Sequence, residues 1–253
     1  MAEKVLILGP SGTGKSHSIS TLNPDETFVI CPDRKTMPFR GSRKKYKTQL
    51  NEEGKLLMGK SNYYETNSMA KVHKCIKYIN DKMIHIKVVV IDTITYAMIE
   101  SVMSTIEISG WEKFSIYAQE FYNLVNDIPK MREDLIIVIT AHVTTESVND
   151  VMETSMKVPK GKLIKDMITP EGLFTIVLYS DVIVEDSENE KVKGVFYTQK
   201  RNGNTCKAPE GMFPSFAIPN DLNYVIKCIN AYNNDENPPV AKTEKVSSDN
   251  DNF

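Results

Sequence analysis

Eight consecutive residues, Gly9, Pro10, Ser11, Gly12, Thr13, Gly14, Lys15 and Ser16, fit the spacing G-x-x-x-x-G-K-[ST]. The chemistry of that spacing is phosphate binding. Glycines allow dihedrals at which successive backbone N–H groups turn inward onto an anion. Lys15 is placed to reach the β- and γ-phosphates of a nucleotide, and the Ser16 hydroxyl to ligate Mg²⁺. A helix starting near Lys15 would add its positive N-terminal end. The plain alternative, a glycine-rich turn without a ligand, lacks the preceding apolar strand that this chain has.

Further along, Asp92 closes the apolar run Lys87 to Asp92 (KVVVID). In a parallel sheet, a strand-end carboxylate faces the phosphate loop and can hold the Mg²⁺ hydration shell. The competing reading is a turn or helix-cap acid. His142 follows the run LIIVITA, at a place suited to sensing a γ-phosphate and moving the loop behind it; Thr140 is the nearby alternative. Asp33, after the second strand, is the candidate to orient an attacking water, ahead of Glu65 and Glu100. Lys200 and Arg201 end a strand and are candidates to neutralise phosphate charge in a neighbouring subunit.

The elements that must position these groups follow from hydrophobic pattern. Lys4 to Leu8, Thr27 to Cys31, Lys87 to Asp92 and Leu135 to Ala141 are continuous apolar runs, the pattern of parallel strands buried on both faces. Between them, a helix capped by Asn67 or Ser68 runs to about Met83, with Met69, Val72, Ile76, Ile79 and Met83 on one face, and another spans Trp111 to about Met131. Crossover helices on a mostly parallel sheet give an α/β fold. Val143 to Gly172 shows no clear period. Leu173 to Val184 and Val192 to Gln199, joined by DSENEK, predict a C-terminal hairpin. Asp221 to Tyr232 predicts a last helix. The domain is expected over residues 1–232, with an acidic, disordered tail over 233–253.

Composition narrows the functional classes. The 253 residues carry a net charge of -2, so global charge selects neither a nucleic-acid nor a membrane binder. Cys31, Cys75, Cys206 and Cys228 form no Cys-x-x-Cys pair, which argues against a zinc ribbon and for a reduced, cytoplasmic setting. No apolar run approaches the roughly 20 residues that span a bilayer.

Local charge is more informative. Arg34, Lys35, Arg40, Arg43, Lys44, Lys45 and Lys47 cluster with no acid from Arg34 to Asn51, and Phe39 and Tyr46 are interleaved. This composition suits a groove that tracks a nucleic-acid backbone and stacks its bases, or else a solvated loop. Lys157, Lys160, Lys162 and Lys165 offer a second basic stretch. The end SSDNDNF, acidic with a terminal aromatic, suits either partner docking or plain solubilising disorder.

GPSGTGKS, VVVIDT, GWEKFSIYAQEF, VITAHV, GKLI, SDVIV and QKRNGNTCKAPEG occur in an order that resembles phage-encoded P-loop ATPases with a RecA-like core, in particular the Sak-type short RecA-core recombinases. The resemblance covers about residues 3 to 216. It implies a RecA-like fold, ATP and Mg²⁺ binding, homo-oligomers, and single-strand annealing, recombination or replication beside a single-strand-binding protein in an infected bacterial cell. It also implies ATP/Mg²⁺ roles for Lys15 and Ser16, the Walker B role for Asp92 and the sensor role for His142. CPDRK stands where many relatives carry Glu after the second strand, which puts the base and hydrolysis rate in question. The expectation is a slow, DNA-stimulated ATPase. The alternatives are a non-catalytic ATP-dependent switch or assembly module, and a small-molecule (nucleotide) kinase.

Overall fold

A computed structural model describes residues 1–108, 112–148, 151–159, 169–186, 191–201 and 203–240. Trp111, Lys160, Lys162, Lys165, most of the DSENEK turn and the terminal SSDNDNF lie outside the described residues. The strands among the described residues are β1 (Glu3–Leu8), β2 (Thr27–Cys31), β3 (Tyr63–Glu65), β4 (Val88–Ile91), β5 (Ile136–Ala141), β6 (Val143–Val148), β7 (Val151–Met156), β8 (Ile176–Asp186), β9 (Lys191–Tyr197) and β10 (Ala217–Pro219). The α-helices are α1 (Ser42–Lys45), α2 (Met69–Lys82), α3 (Ile94–Ser104), α4 (Glu112–Asp127) and α5 (Leu222–Asn233).

Eight strands make one sheet in the order β10-β9-β8-β1-β5-β4-β2-β3. The pairings from β3 through β8 are parallel, and β8, β9 and β10 pair antiparallel. This is a RecA-like arrangement: β5 is inserted between the phosphate-loop strand β1 and the acid-bearing strand β4. Register pairs Leu8 with Ala141 and Ile91 with Ile139. The carboxyl ends of β1, β5 and β4 therefore open on the same edge, where open α/β sheets bind ligands.

The two faces of the sheet are covered separately. On one, α2, α3 and α4 bury Val72, Ile76, Ile79, Ala97, Met98, Phe121 and Leu124 against Leu6, Val89 and Ile137. On the other, α5 buries Leu222, Val225, Ile226 and Ile229 with Ile19, Leu22, Met37 and Tyr46 against Val5, Ile7, Val90 and Leu178. Continuous apolar strands are what two covered faces require. Ser68 caps α2 by accepting from the Lys71 N–H, and Asp221 caps α5 by accepting from the Tyr224 N–H.

Several expectations are corrected. No α-helix follows the phosphate loop. Residues His17–Thr21 form a single 3-10 segment. Ser18 Oγ donates to the Lys15 carbonyl at 2.6 Å and Thr21 Oγ1 to the Ser18 carbonyl at 2.8 Å, and Pro24 stands close behind. Hydroxyls that occupy backbone acceptors compete with helix formation, and proline blocks its extension. The irregular basic stretch contains the short helix α1. Helix α4 stops at Asp127, and Pro129 sits in a 3-10 turn, Ile128–Lys130. Strand β8 begins at Ile176 because Pro170–Leu173 is also a 3-10 turn.

The segment read as lacking a period contains a two-stranded antiparallel ribbon, β6 with β7, in register from Val143–Met156 to Val148–Val151. Its polar residues hid the alternation. The ribbon is tied to the segment after β9: the Thr154 N–H donates to the Gly203 carbonyl at 2.9 Å, and Lys200 Nζ pairs with Glu153 Oε1 at 2.9 Å. Gly203 holds φ at 76°, and an added Cβ would lie 1.8 Å from the Met152 carbonyl oxygen, so the ribbon packs where only glycine fits.

Candidate functional site

Strand β1 ends at Leu8, and the chain turns through the phosphate loop. Gly9, Gly12 and Gly14 hold φ at 153°, 86° and 94°, in the region open to glycine. The loop is braced by the neighbouring strand β8 and by the residue that leads into α5. Ser180 Oγ on β8 donates to the Thr13 carbonyl at 2.8 Å, and Asn220 Nδ2, just before α5, donates to the same carbonyl at 3.1 Å. An added Cβ on Gly9 would fall 2.5 Å from the Ser180 carbonyl oxygen. Thr13 Oγ1 closes the loop internally on the Pro10 carbonyl at 3.0 Å.

Lys15 is 5% exposed. Its ammonium folds back into the loop, donating to the carbonyls of Gly9 at 2.7 Å and Pro10 at 2.6 Å. Burial lowers its pKa to about 8, with the Asp92 carboxylate acting in the opposite direction. Asp92, also 5% exposed, is held from β5: Thr140 Oγ1 donates to its Oδ1 at 2.6 Å, and Thr93 Oγ1 to the same atom at 3.2 Å. Thr140 is therefore engaged with Asp92, and His142 is the residue of that pair that reaches the cleft.

A cleft of about 350 Å³ brings together Ser11, Gly12, Gly14, Lys15, Ser16, Asp33, Asp92 and His142. Its far wall is formed by Lys35, Thr36, Met37 and Pro38. The His142 N–H donates to Thr95 Oγ1 at 3.1 Å, and its ring meets Tyr96 edge-on at 5.7 Å. Burial lowers the His142 pKa, and Lys15, Lys157 and Lys35 lower it further, while Asp92 opposes them. Its imidazole is thus biased to the neutral form, which still offers an N–H. Asp33 Oδ1 accepts from Cys31 Sγ at 3.0 Å and from the Lys35 N–H at 3.2 Å, and Oδ2 lies 3.7 Å from Lys35 Nζ.

Ser16 and Asp92 on one cleft suit Mg²⁺, which takes one or two protein oxygens and completes its shell with phosphates and water. Among the described residues there is no cluster of three or more His, Cys, Asp and Glu that would make an all-protein metal site.

Other candidates stand apart from the cleft. Glu65 borders a second cavity with Thr48, Leu50 and Tyr64. Glu100 lies on α3, outside the lining residues. Lys200 is paired with Glu153, and the Arg201 guanidinium sits 5.3 Å from the Phe216 ring centroid.

The seven basic residues from Arg34 to Lys47 are all exposed, and this segment continues directly from the cleft wall. Its rings are corrected. Tyr46 is 3% exposed, with its hydroxyl donating to the Ile19 carbonyl at 3.3 Å, and Phe39 is half-buried beside it. The expected stacking platform is spent on the core.

Sequence reasoning missed the braces Ser180 and Asn220, because a lone Ser or Asn carries no spacing signal. It also missed Tyr96 and the helix α3 that carries it. Thr93, directly after the acid in VVVIDT, could have been found as a second hydroxyl beside Asp92.

A family model described as an AAA domain matches residues 1–209. No curated protein sequence matches the chain. Among solved structures, the chain is similar to a KaiC-like protein from the hyperthermophilic archaeon Pyrococcus horikoshii OT3, with 14% identity, a TM-score of 0.42 and coverage of 82% of each chain. No helix among the described residues is long and apolar enough to cross a membrane.

Proposed function

Because the chain belongs to the AAA domain family, over residues 1–209, we propose that it is a MgATP-hydrolysing RecA-like ATPase that couples nucleotide state to single-stranded DNA binding. The observation that supports this most is the continuity of the cleft with the basic segment. Lys35 to Pro38 line the cleft, and Arg40, Arg43, Lys44, Lys45 and Lys47 follow, all exposed. The ribbon β6–β7 begins one residue after His142 and offers a second moving part at the same edge. Resemblance to the Sak-type recombinases supplies the setting: annealing, recombination or replication in phage-infected bacteria, as a homo-oligomer beside a single-strand-binding protein.

In this reading the loop N–H groups and Lys15 hold the triphosphate, while Ser16 and Asp92 hold Mg²⁺, which neutralises phosphate charge when bound. Asp33 orients water toward the γ-phosphorus in line with the leaving diphosphate. His142 donates to the γ-phosphate and moves with the ribbon when that contact is lost on hydrolysis. Since Tyr46 is buried and Phe39 half-buried, DNA is held mainly through its phosphates and binding is sequence-tolerant and salt-sensitive.

Phosphate release from ATP, with and without single-stranded DNA, tests the coupling, and DNA is expected to raise the rate. Reversing Arg43, Lys44 and Lys45 to glutamate is expected to weaken DNA binding and flatten its salt dependence. Affinity without salt dependence, unchanged by the reversal, would sink the DNA half of the proposal. Tight ATP binding without turnover would leave the switch reading in its place.

The buried lysine also sets a pH dependence. Free of nucleotide, Lys15 loses its proton above a pH of about 8. A bound triphosphate stabilises the ammonium, so binding takes up a proton there. ATP affinity is therefore expected to be flat below pH 8 and to fall by up to about tenfold per unit above it. Titration of labelled ATP at pH 7, 8 and 9 measures it, and a flat profile counts against the buried ammonium as the phosphate ligand.

A further inference from the structure

Two cations line the cleft, and only one belongs to the phosphate loop. Besides Lys15, the sole lysine or arginine among the described residues that line it is Lys35, on the opposite wall. Its ammonium is held by three groups. Nζ lies 4.9 Å from the Tyr96 ring centroid, donates to the Tyr96 hydroxyl at 3.3 Å, and stands 3.7 Å from Asp33 Oδ2. Tyr96 in turn meets His142 edge-on. Asp33, Lys35 and His142 thus line the cleft, with Tyr96 in contact with both Lys35 and His142. The side chain of Lys35 is 66% exposed and that of Asp33 is 15% exposed. An exposed ammonium on a four-carbon stem can exchange these contacts for others, while its carboxylate partner is fixed by Cys31 and by the Lys35 N–H.

We infer that Lys35 is a catalytic cation acting within its own chain: it moves from its pairing with Asp33 onto the γ-phosphate of a bound triphosphate. The inference rests on the ATPase reading above. Transfer of Lys35 has two effects. It places positive charge on the phosphoryl oxygens as the transition state spreads negative charge over them. It also releases Asp33 from its ion pair, so that the carboxylate can accept a proton from water. The water oxygen then bonds to the γ-phosphorus, the bond from that phosphorus to the β–γ bridging oxygen breaks, and ADP leaves with the electron pair. The water proton passes to Asp33 and from there to solvent.

An ADP-bound cleft has no γ-phosphate to attract Lys35, so the ion pair with Asp33 persists. Lys35 therefore distinguishes ATP from ADP. A cation supplied within the chain also frees turnover from any residue of a neighbour. The rate per subunit is then independent of protein concentration, whereas a finger from a neighbouring subunit makes it rise with assembly.

The test compares the wild type with Lys35→Gln and Lys35→Arg, reading kcat, ATP and ADP affinities and turnover across protein concentrations. The glutamine variant is expected to lose about 10²-fold in kcat and about tenfold in ATP affinity, with ADP affinity unchanged. Arginine is expected to restore part of both losses. Equal loss of ATP and ADP affinity, or unchanged kcat and unchanged ATP/ADP preference, overturns the inference while wild-type turnover leaves the ATPase reading standing. Wild-type protein that neither binds nor turns over ATP overturns both. The exposed position of Lys35 makes a folding defect unlike either result, and an unchanged melting temperature confirms that the variants are folded.

Discussion

Lys15→Ala is expected to lower ATP turnover by about 10²- to 10³-fold while changing the melting temperature little. The two effects separate because of where the ammonium sits. It donates to the Gly9 and Pro10 carbonyls, contacts that triphosphate oxygens can replace. Removal deletes the cation that stabilises charge on the transferring phosphate. For the fold, two opposing terms remain. The carbonyls lose their donors, at about 1–3 kcal/mol for any left without water. Against this, the chain no longer buries a charge whose burial already lowers its pKa to about 8. Phosphate release and a thermal melt on the same preparation check both parts. Turnover within tenfold of wild type would remove Lys15 from the mechanism.

Asp92→Asn is expected to cost about 10²-fold or more in Mg²⁺-dependent turnover and less than tenfold in Mg²⁺-free ADP affinity. Asparagine keeps an Oδ1 to accept from Thr140 and Thr93, so the packing at the end of β4 is retained. What it loses is the negative charge that holds Mg²⁺ against the phosphates. The same charge raises the Lys15 pKa. The pH above which ATP affinity falls is therefore expected to move below that of the wild type. Turnover as a function of Mg²⁺ concentration, together with the pH titration, reads both consequences. An unchanged Mg²⁺ requirement would place the metal elsewhere.

What the sequence made legible shares one property: the information is local. Gly9 to Ser16 encode a loop whose dihedrals and donors are set by neighbouring residues, and the four apolar runs encode strands covered on both faces. Asp92, Asp33 and His142 were readable because each lies at or within two residues of the end of such a run, and parallel strands bring their ends together. The misses depend on distant contacts. Tyr46 reads as an exposed ring until Ile19 accepts its hydroxyl from 27 positions away. The ribbon β6–β7 looks aperiodic because the partner that covers it, the segment around Gly203, lies about 50 residues along the chain. The missing helix after Ser16 shows propensity overruled nearby: its hydroxyls bond their own backbone.

The brace on the phosphate loop has a consequence for any shortened version of the chain. The family match stops at residue 209, but Asn220, which donates to the Thr13 carbonyl, lies beyond it. So do β10 and α5, whose Ile218, Leu222, Val225 and Ile229 cover Ile7 and Leu178 on one face of the sheet. Asn220 also packs against Gly194 of β9, where an added Cβ would approach it to 3.1 Å. The family match thus ends short of elements that pack against the phosphate loop and its sheet. A gene fragment cut at the family boundary would retain every residue of the phosphate motif and lose the wall that shapes it.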